Sequence, residues 1–399
     1  MSPMQRKQCL MNTVVRPDPV FVRGQGAYLY DQAGLAYLDW VQGWAVNALG
    51  HSPEVVTAAL ARQAATLLNA SPGFYHPPLL ELAEKLVSLS GMDQAFFINS
   101  GAEANEGAIK LARKWGRLHK GGAYEIITFD NGYHGRTLAT MSATGKPGWD
   151  TYYPPQVPGF PKARFNDLDS VAALIGPGTV AVMLEPVQGE GGVIPASDEF
   201  LHGLRALCDR HDLMLIFDEV QTGCGRSGTL FAWQHYGVMP DVMTLGKGLG
   251  GGVPLSALLA RRRHCCFEPG DQGGTFSGAP LACAVGSAVL DVLAQPAFLA
   301  QVRQRSRQLR EGLEALSTRH GLGEVRGLGL LLALAMPDGG AVELVELARE
   351  HGLLLNAPRP HCVRVMPALN STEAEIEEGL RLLDGALAML AHPRNAVPA

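Results

Sequence analysis

Apolar positions along the chain follow two spacings that alternate. Short, nearly unbroken apolar runs recur at 94–98, 124–130, 180–185, 213–218, 242–245 and 255–260. Between them, at 79–89, 101–118 and 200–211, the apolar residues return every three or four positions. In the second of these helical stretches Ala104, Ala108, Leu111, Ala112 and Trp115 fall on one face. Unbroken apolar strands separated by amphipathic helices predict an α/β fold with a mostly parallel sheet covered on both faces.

The two ends of the chain have a different texture. Apolar runs at 20–22, 27–30 and 36–41 alternate with turns and predict a small β-meander, followed by a helix over 53–68. Beyond about 295, a charged helix (298–316) precedes short strands at 330–335, 353–356 and 363–366. A last helix opens with the capping box Thr372 and Glu375. The expected division is a large domain at 59–298, with 1–58 and 299–399 together forming a smaller α+β domain.

Composition narrows the class. A chain of 399 residues, 47% hydrophobic, exceeds one ordinary core and has the material to bury a large one. A net charge of −5 excludes a generally basic nucleic-acid binder, and Arg261–Arg263 is expected to be a solvated strand end. The seven cysteines form no C-x-x-C pair, which supports neither a disulfide framework nor a zinc site and fits a reducing, cytoplasmic setting. The opening MSPMQRKQCLMN has no apolar segment behind its charges, so no secretory signal is expected. The uncharged stretch 273–290 reads as a loop and a buried helix rather than a membrane span. Glycine, 47 residues, clusters where apolar runs have just ended, as in α/β enzymes whose strand ends carry the site.

Three such strand ends carry chemistry. At Ser100-Gly101-Ala102-Glu103 a strand gives way to a capped helix, whose first amides and positive dipole end suit an anion. Asp218 ends the run 213–218; a carboxylate buried there calls for a positive partner, and no second His, Cys or carboxylate has metal-ligand spacing, so no metal is expected. Lys247 follows the next run with glycines on both sides, and a lysine in an apolar cleft becomes a nucleophile for a carbonyl. Together they suit pyridoxal 5′-phosphate: phosphate on Gly101 and Ala102, ring nitrogen on Asp218, aldehyde on Lys247. The literal G-x-G-x-x-G at 223–228 suggests a nicotinamide oxidoreductase instead, but Asp218 and Glu219 at that strand end would repel a pyrophosphate.

The chain resembles the class III pyridoxal-phosphate aminotransferases over nearly its whole length. The likeness is carried by SGAEANEGAIKLAR (100–113), YHGRT (133–137), LEPVQGEGG (184–192), FDEVQTGCGRSG (217–228), TLGKGLGGG (244–252), GGTFSGAPLACA (273–284) and LLLNAPRPHCVRVMPALN (353–370). The last stretch is most similar to the acetylornithine aminotransferases. The resemblance implies the aspartate-aminotransferase-like fold and a homodimer with shared active sites. It implies that Lys247 carries the cofactor, Asp218 meets its ring nitrogen, Gln221 lies near the phenolic oxygen and Tyr133 stacks on the ring. Ser100, Gly101 and Ala102 match the phosphate site, which Thr275 closes from the other subunit; His134, a base by residue type, is read as a structural member of the cofactor site, because Lys247 already supplies the acid–base group. Arg136 matches the residue for the donor carboxylate, Arg364 the one for the oxo-acid, and Glu190 the acid that pairs with Arg364 while a long donor is bound. Trp44 departs from the pattern, standing where acetylornithine enzymes more commonly carry an aliphatic residue and lining the expected substrate pocket.

The expected reaction is transfer of the terminal amino group of N-acetylornithine to 2-oxoglutarate. Ornithine, succinylornithine and 4-aminobutyrate are the rival donors, and a non-catalytic binding protein on the same fold is the rival outside enzymes.

Overall fold

The computed structural model describes residues 7–391. Residues 1–6, on which the expectation of no secretory signal partly rests, and 392–399, at the end of the smaller domain, lie outside the described residues.

The chain begins with an antiparallel meander, β1 (Phe21–Gln25), β2 (Tyr28–Asp31) and β3 (Ala36–Asp39). The central strands are β4 (Gln94–Ile98), β5 (Glu125–Phe129), β6 (Lys162–Ala163) and β7 (Thr179–Leu184), then, after the small hairpin β8 (Val187–Gln188) and β9 (Ile194–Pro195), β10 (Met214–Asp218), β11 (Val242–Leu245) and β12 (Ser256–Ala260). They make a seven-stranded sheet in the order β4-β12-β11-β10-β7-β5-β6. Pairing is parallel from β11 to β6, and β12 runs antiparallel to both neighbours.

Strands β7, β10 and β11 are buried at every position, which is why their sequences are continuous apolar runs rather than alternating ones. Their side chains nonetheless divide by parity. Met214 and Ile216 pack with Ala108, Leu111, Ala112 and Trp115 of helix Gly101–His119. Leu215 and Phe217 pack with Phe200, Leu201, Leu204 and Cys208 of helix Asp198–Arg210. Each such fully buried aliphatic or aromatic side chain contributes about 1.5–3 kcal/mol. The same parity sends Asp218 toward the helix that begins at Gly101.

The C-terminal strands are β13 (Val325–Leu328), β14 (Leu331–Ala335), β15 (Leu353–Leu354), β16 (Asn356–Arg359) and β17 (Cys362–Val365). The apolar run at 353–356 is not one strand. β15 joins the N-terminal meander in parallel with β3, while β16 pairs with β17 in the sheet β13-β14-β17-β16. The ends of the chain are thereby stitched together, with Met366 N donating to Trp40 O at 2.7 Å and Leu369 N to Ala48 O at 2.8 Å. The helix expected over 53–68 stops at Ala64, where Gln63 Nε2 turns to donate to Leu67 O at 2.8 Å. Helix Ala341–Glu350 is signalled only weakly by the sequence, since it starts after Gly340 at φ 84° without a side-chain cap. Among the described residues no single helix is long and apolar enough to cross a membrane.

Candidate active site

Parallel register places the chemistry. Asp218 of β10 lies opposite Thr244 of β11, so Lys247, three residues further on, emerges at the same carboxyl edge of the sheet. Asp218 is buried, and its Oδ2 accepts from Asn105 Nδ2 at 2.7 Å and from His134 Nδ1 at 2.8 Å. Asn105 also donates to His134 O and accepts from Thr244 Oγ1, each at 2.7 Å. The amide thus locks helix, loop and strand together and holds the carboxylate in one orientation. Asn105 lies within a motif singled out by sequence, yet its role follows only from the parity that turns Asp218 toward its helix.

Lys247 begins a short 3₁₀ turn with φ 43°, and Nζ makes no hydrogen bond among the described residues. Burial first, then the nearby Arg364 guanidinium, hold its ammonium below the usual lysine range, against the pull of Asp218, Glu185 and Glu190. Glu185 is buried beside it, accepting from Tyr133 N at 2.8 Å and Gly189 N at 3.2 Å. Burial, reinforced by Asp218, pushes its carboxyl up to about 8, in keeping with a structural rather than a switching acid.

Arg364 has no exposed side-chain surface and is held from three directions. Nη2 meets Glu190 Oε1 at 2.8 Å and Asn356 Oδ1 at 2.6 Å, while Nη1 donates to Gln221 Oε1 at 3.3 Å. Burial raises the Glu190 carboxyl, but Arg364 outweighs it and the net direction is down. The missing side chain of Gly189 leaves the room that Gln221 occupies, since a Cβ there would lie 1.8 Å from Gln221 Oε1 and displace that amide from Arg364.

At the helix start, Ser100 and Glu103 form the expected reciprocal capping box. The Ser100 hydroxyl donates to Glu103 Oε2 at 2.9 Å, while the amides of Gly101 and Ala102 have no partner among the described residues. Gly101 has a packing reason as well: a Cβ would come within 2.6 Å of Val220 Cγ1.

The remaining expected residues lie further out. Tyr133 packs edge-on against buried Trp149, ring centroids 5.8 Å apart, and burial raises its phenol against the opposing effect of Arg136. Arg136 is exposed, with its guanidinium 5.2 Å from the Trp149 ring centroid. Thr275 occupies an exposed loop and contacts none of the residues above through a hydrogen bond. Trp44, 49% exposed, stands in a turn where Gln42, Gly43, Trp44 and Ala45 all take left-handed φ between 48° and 68°. That turn lies against the lysine turn, since a Cβ on Gly248 would meet Ala45 O at 3.9 Å.

The G-x-G-x-x-G loop is a structural knot. Its Arg226 is buried and donates to Leu330 O at 3.0 Å and Pro367 O at 2.6 Å, tying the loop to the C-terminal sheet. Cys224 and Ser227 are buried too, so the loop offers no open cradle for a pyrophosphate.

Known proteins bear on this arrangement directly. The family Aminotransferase class-III matches residues 12–387. The acetylornithine aminotransferase 2 of Bordetella bronchiseptica is 61% identical over 382 residues, covering 95% of this chain and 96% of that protein. The crystal structure of N-acetylornithine aminotransferase from Stenotrophomonas maltophilia K279a superposes with a TM-score of 0.84 at 39% identity, covering 95% of this chain and 98% of the other. That of the ornithine aminotransferase from Toxoplasma gondii gives 0.93 at 31% identity, covering 98% and 95%.

Proposed function

The chain belongs to the class III aminotransferases, and from that premise we propose that it moves the terminal amino group of N-acetylornithine to 2-oxoglutarate, giving N-acetylglutamate semialdehyde and glutamate. Enzymes of this class depend on pyridoxal 5′-phosphate, which when bound supplies an electron-accepting ring and a reactive aldehyde. The residues present fit that group. Two unpartnered amides, of Gly101 and Ala102, begin a long helix and suit a phosphate, and Asp218 is oriented at the sheet edge for a protonated ring nitrogen. The observation that carries the reading is the amine of Lys247, with its lowered proton affinity, standing at the same sheet edge as that fixed carboxylate.

Each residue then has a task. Lys247, its proton affinity lowered by burial and by the Arg364 charge, would hold the cofactor at rest and, once freed, is placed to take the proton from the carbon bearing the donor nitrogen. Asp218, kept in place by His134 and Asn105, retains the proton on the ring nitrogen. Tyr133 would cover one face of the ring, and Gln221 would border its phenolic oxygen. Arg136 takes the donor carboxylate by its planar fork. Glu190 masks Arg364 while the long donor is present and leaves it to the carboxylate of 2-oxoglutarate in the second half. Asn356 and Gln221 keep Arg364 in position during that exchange. Thr275 of a second copy completes the phosphate site. Trp44 borders the acyl end of the donor, and the 61% identity to a protein named acetylornithine aminotransferase 2 supports that donor over the others.

The test is an absorbance spectrum of the purified protein before and after addition of N-acetylornithine, followed by borohydride reduction and peptide mapping. The cofactor band should bleach with the donor and return with 2-oxoglutarate, and the reduced adduct should map to Lys247. A donor panel with ornithine, succinylornithine and 4-aminobutyrate completes it, and a strong preference for unacylated ornithine would overturn the donor assigned here.

A further inference from the structure

Three segments meet beside Tyr133, and each brings a cation. Asn131 N donates to Gly145 O at 2.9 Å and Gly145 N to Gly132 O at 3.0 Å, which sets Lys146 next to the 131–136 loop. Arg359, at the end of β16, reaches the same loop through Nη2 to Asn131 Oδ1 at 2.9 Å. Lys146 Nζ lies 5.2 Å from the Trp149 ring centroid, the same distance as the Arg136 guanidinium. Trp149 is thus shared by two cations and touched edge-on by Tyr133.

Charge in this quarter of the cleft does not balance. Arg364 is matched by Glu190, but among the described residues Arg136, Lys146 and Arg359 have no carboxylate in ion-pair contact. Asp130 and Asp150, which line a cavity together with Lys146, do not pair with it either. Lys146 is half-buried, and burial lowers its proton affinity while Glu190 opposes that effect. A partly desolvated ammonium without a counter-ion gains more from an arriving carboxylate than a fully hydrated one does. The aromatic ring beside it gives the cation a fixed perch without neutralising it.

We infer that Lys146 is a second substrate-positioning residue, which shares with Arg136 the carboxylate remote from the reacting amine and so makes the enzyme select amino acids over plain amines. The inference rests on the aminotransferase reading of the cleft and adds a residue to it. Arg136 supplies a planar fork at the exposed rim, and Lys146 supplies a point charge deeper along Trp149. Arg359 adds to the positive field without touching the same ring. A diamine offers nothing to this pair and would be repelled by it.

The test compares two amines that differ only in that carboxylate, ornithine and putrescine, with N-acetylornithine alongside, in the holoenzyme. Rates of cofactor bleaching are measured against amine concentration. Lys146→Gln should raise the half-saturating concentration of both amino acids about tenfold, the size of one charge-assisted contact. The rate at saturation should stay within about twofold, and the discrimination against putrescine should shrink by a similar tenfold. Lys146→Arg, which keeps the charge, should restore most of the discrimination. Equal losses on ornithine and putrescine, or an unchanged half-saturating concentration for the amino acids, would overturn the inference. Because the readout is a ratio between amines with and without a carboxylate, a wild-type preference for unacylated ornithine would sink the donor assignment and leave this test intact.

Discussion

A lysine acts as nucleophile and proton carrier only if its amine is neutral part of the time and its surroundings fix where it points. At Lys247 burial and the Arg364 charge supply the first condition, and the β10–β11 register supplies the second. Lys247→Ala should therefore lose the covalently held cofactor, seen as loss of the bound absorbance band after desalting, and lower turnover by at least about a thousandfold. A variant retaining wild-type rate would place the chemistry elsewhere. Lys247 and Asp218 were legible in the sequence because Asp218 ends one apolar run and Lys247 follows the next after a single glycine, and a polar residue at a buried strand end has few other reasons to be there. Asn105 and Lys146 were not. Asn105 matters through partners 29, 113 and 139 residues away in the chain, a closure that only the folded sheet creates. Lys146 sits after Gly145 in a loop whose sequence reads as an ordinary exposed turn, and its setting depends on Trp149 and Asn131 together.

The turn at 42–45 shows how a strained element is held. Four successive residues in left-handed backbone, three of them not glycine, cost about 1–2 kcal/mol each for the residues with a Cβ. Asp39 offsets that cost: Oδ1 accepts from Val41 N at 2.8 Å and Gln42 N at 2.9 Å, and Oδ2 accepts from His51 Nε2 at 2.8 Å. Asp39→Ala should destabilise the protein by about 2–4 kcal/mol in urea unfolding and open residues 40–48 to protease. A loss below about 0.5 kcal/mol would mean that packing alone holds the turn. No helical or strand periodicity announces such a turn, and the apolar pattern marks only the run 36–41 before it and the helix after it.

A second element is held by Glu219, whose carboxylate accepts from the amides of Ala232 and Trp233 at the start of a short helix. Burial pushes its carboxyl up to about 7, from an ordinary value of 4.5. Between those values the folded chain keeps a proton that the unfolded chain has released, so stability falls as pH rises through the window. The slope from this group approaches about 1.4 kcal/mol per pH unit at most. Urea midpoints at pH 5 and pH 7.5 should show that decline in the wild type and a shallower one in Glu219→Gln. Equal slopes would show that the carboxyl is ionised throughout.

Taken whole, the chain exposes an apolar surface that an isolated copy would be expected to cover. Phe74, Tyr75 and Phe276 are 69%, 86% and 62% exposed. They lie on two loops that His76 joins by donating from Nε2 to Gly278 O at 2.9 Å. The expected homodimer would have this surface as a candidate for its contact face. The same loop carries Thr275, the residue expected to complete the phosphate site of another copy, so one surface would serve both assembly and cofactor binding. Sedimentation should give twice the chain mass, and the pair Tyr75→Asp with Phe276→Asp should shift the protein to single copies. Those single copies should also bind the cofactor at least about tenfold more weakly, since part of the phosphate site would have left with the partner. The two readouts separate the claims: a dimer that survives both substitutions moves the interface elsewhere, whereas single copies with wild-type cofactor affinity would mean that each chain closes its own phosphate site and that Thr275 does nothing across the boundary.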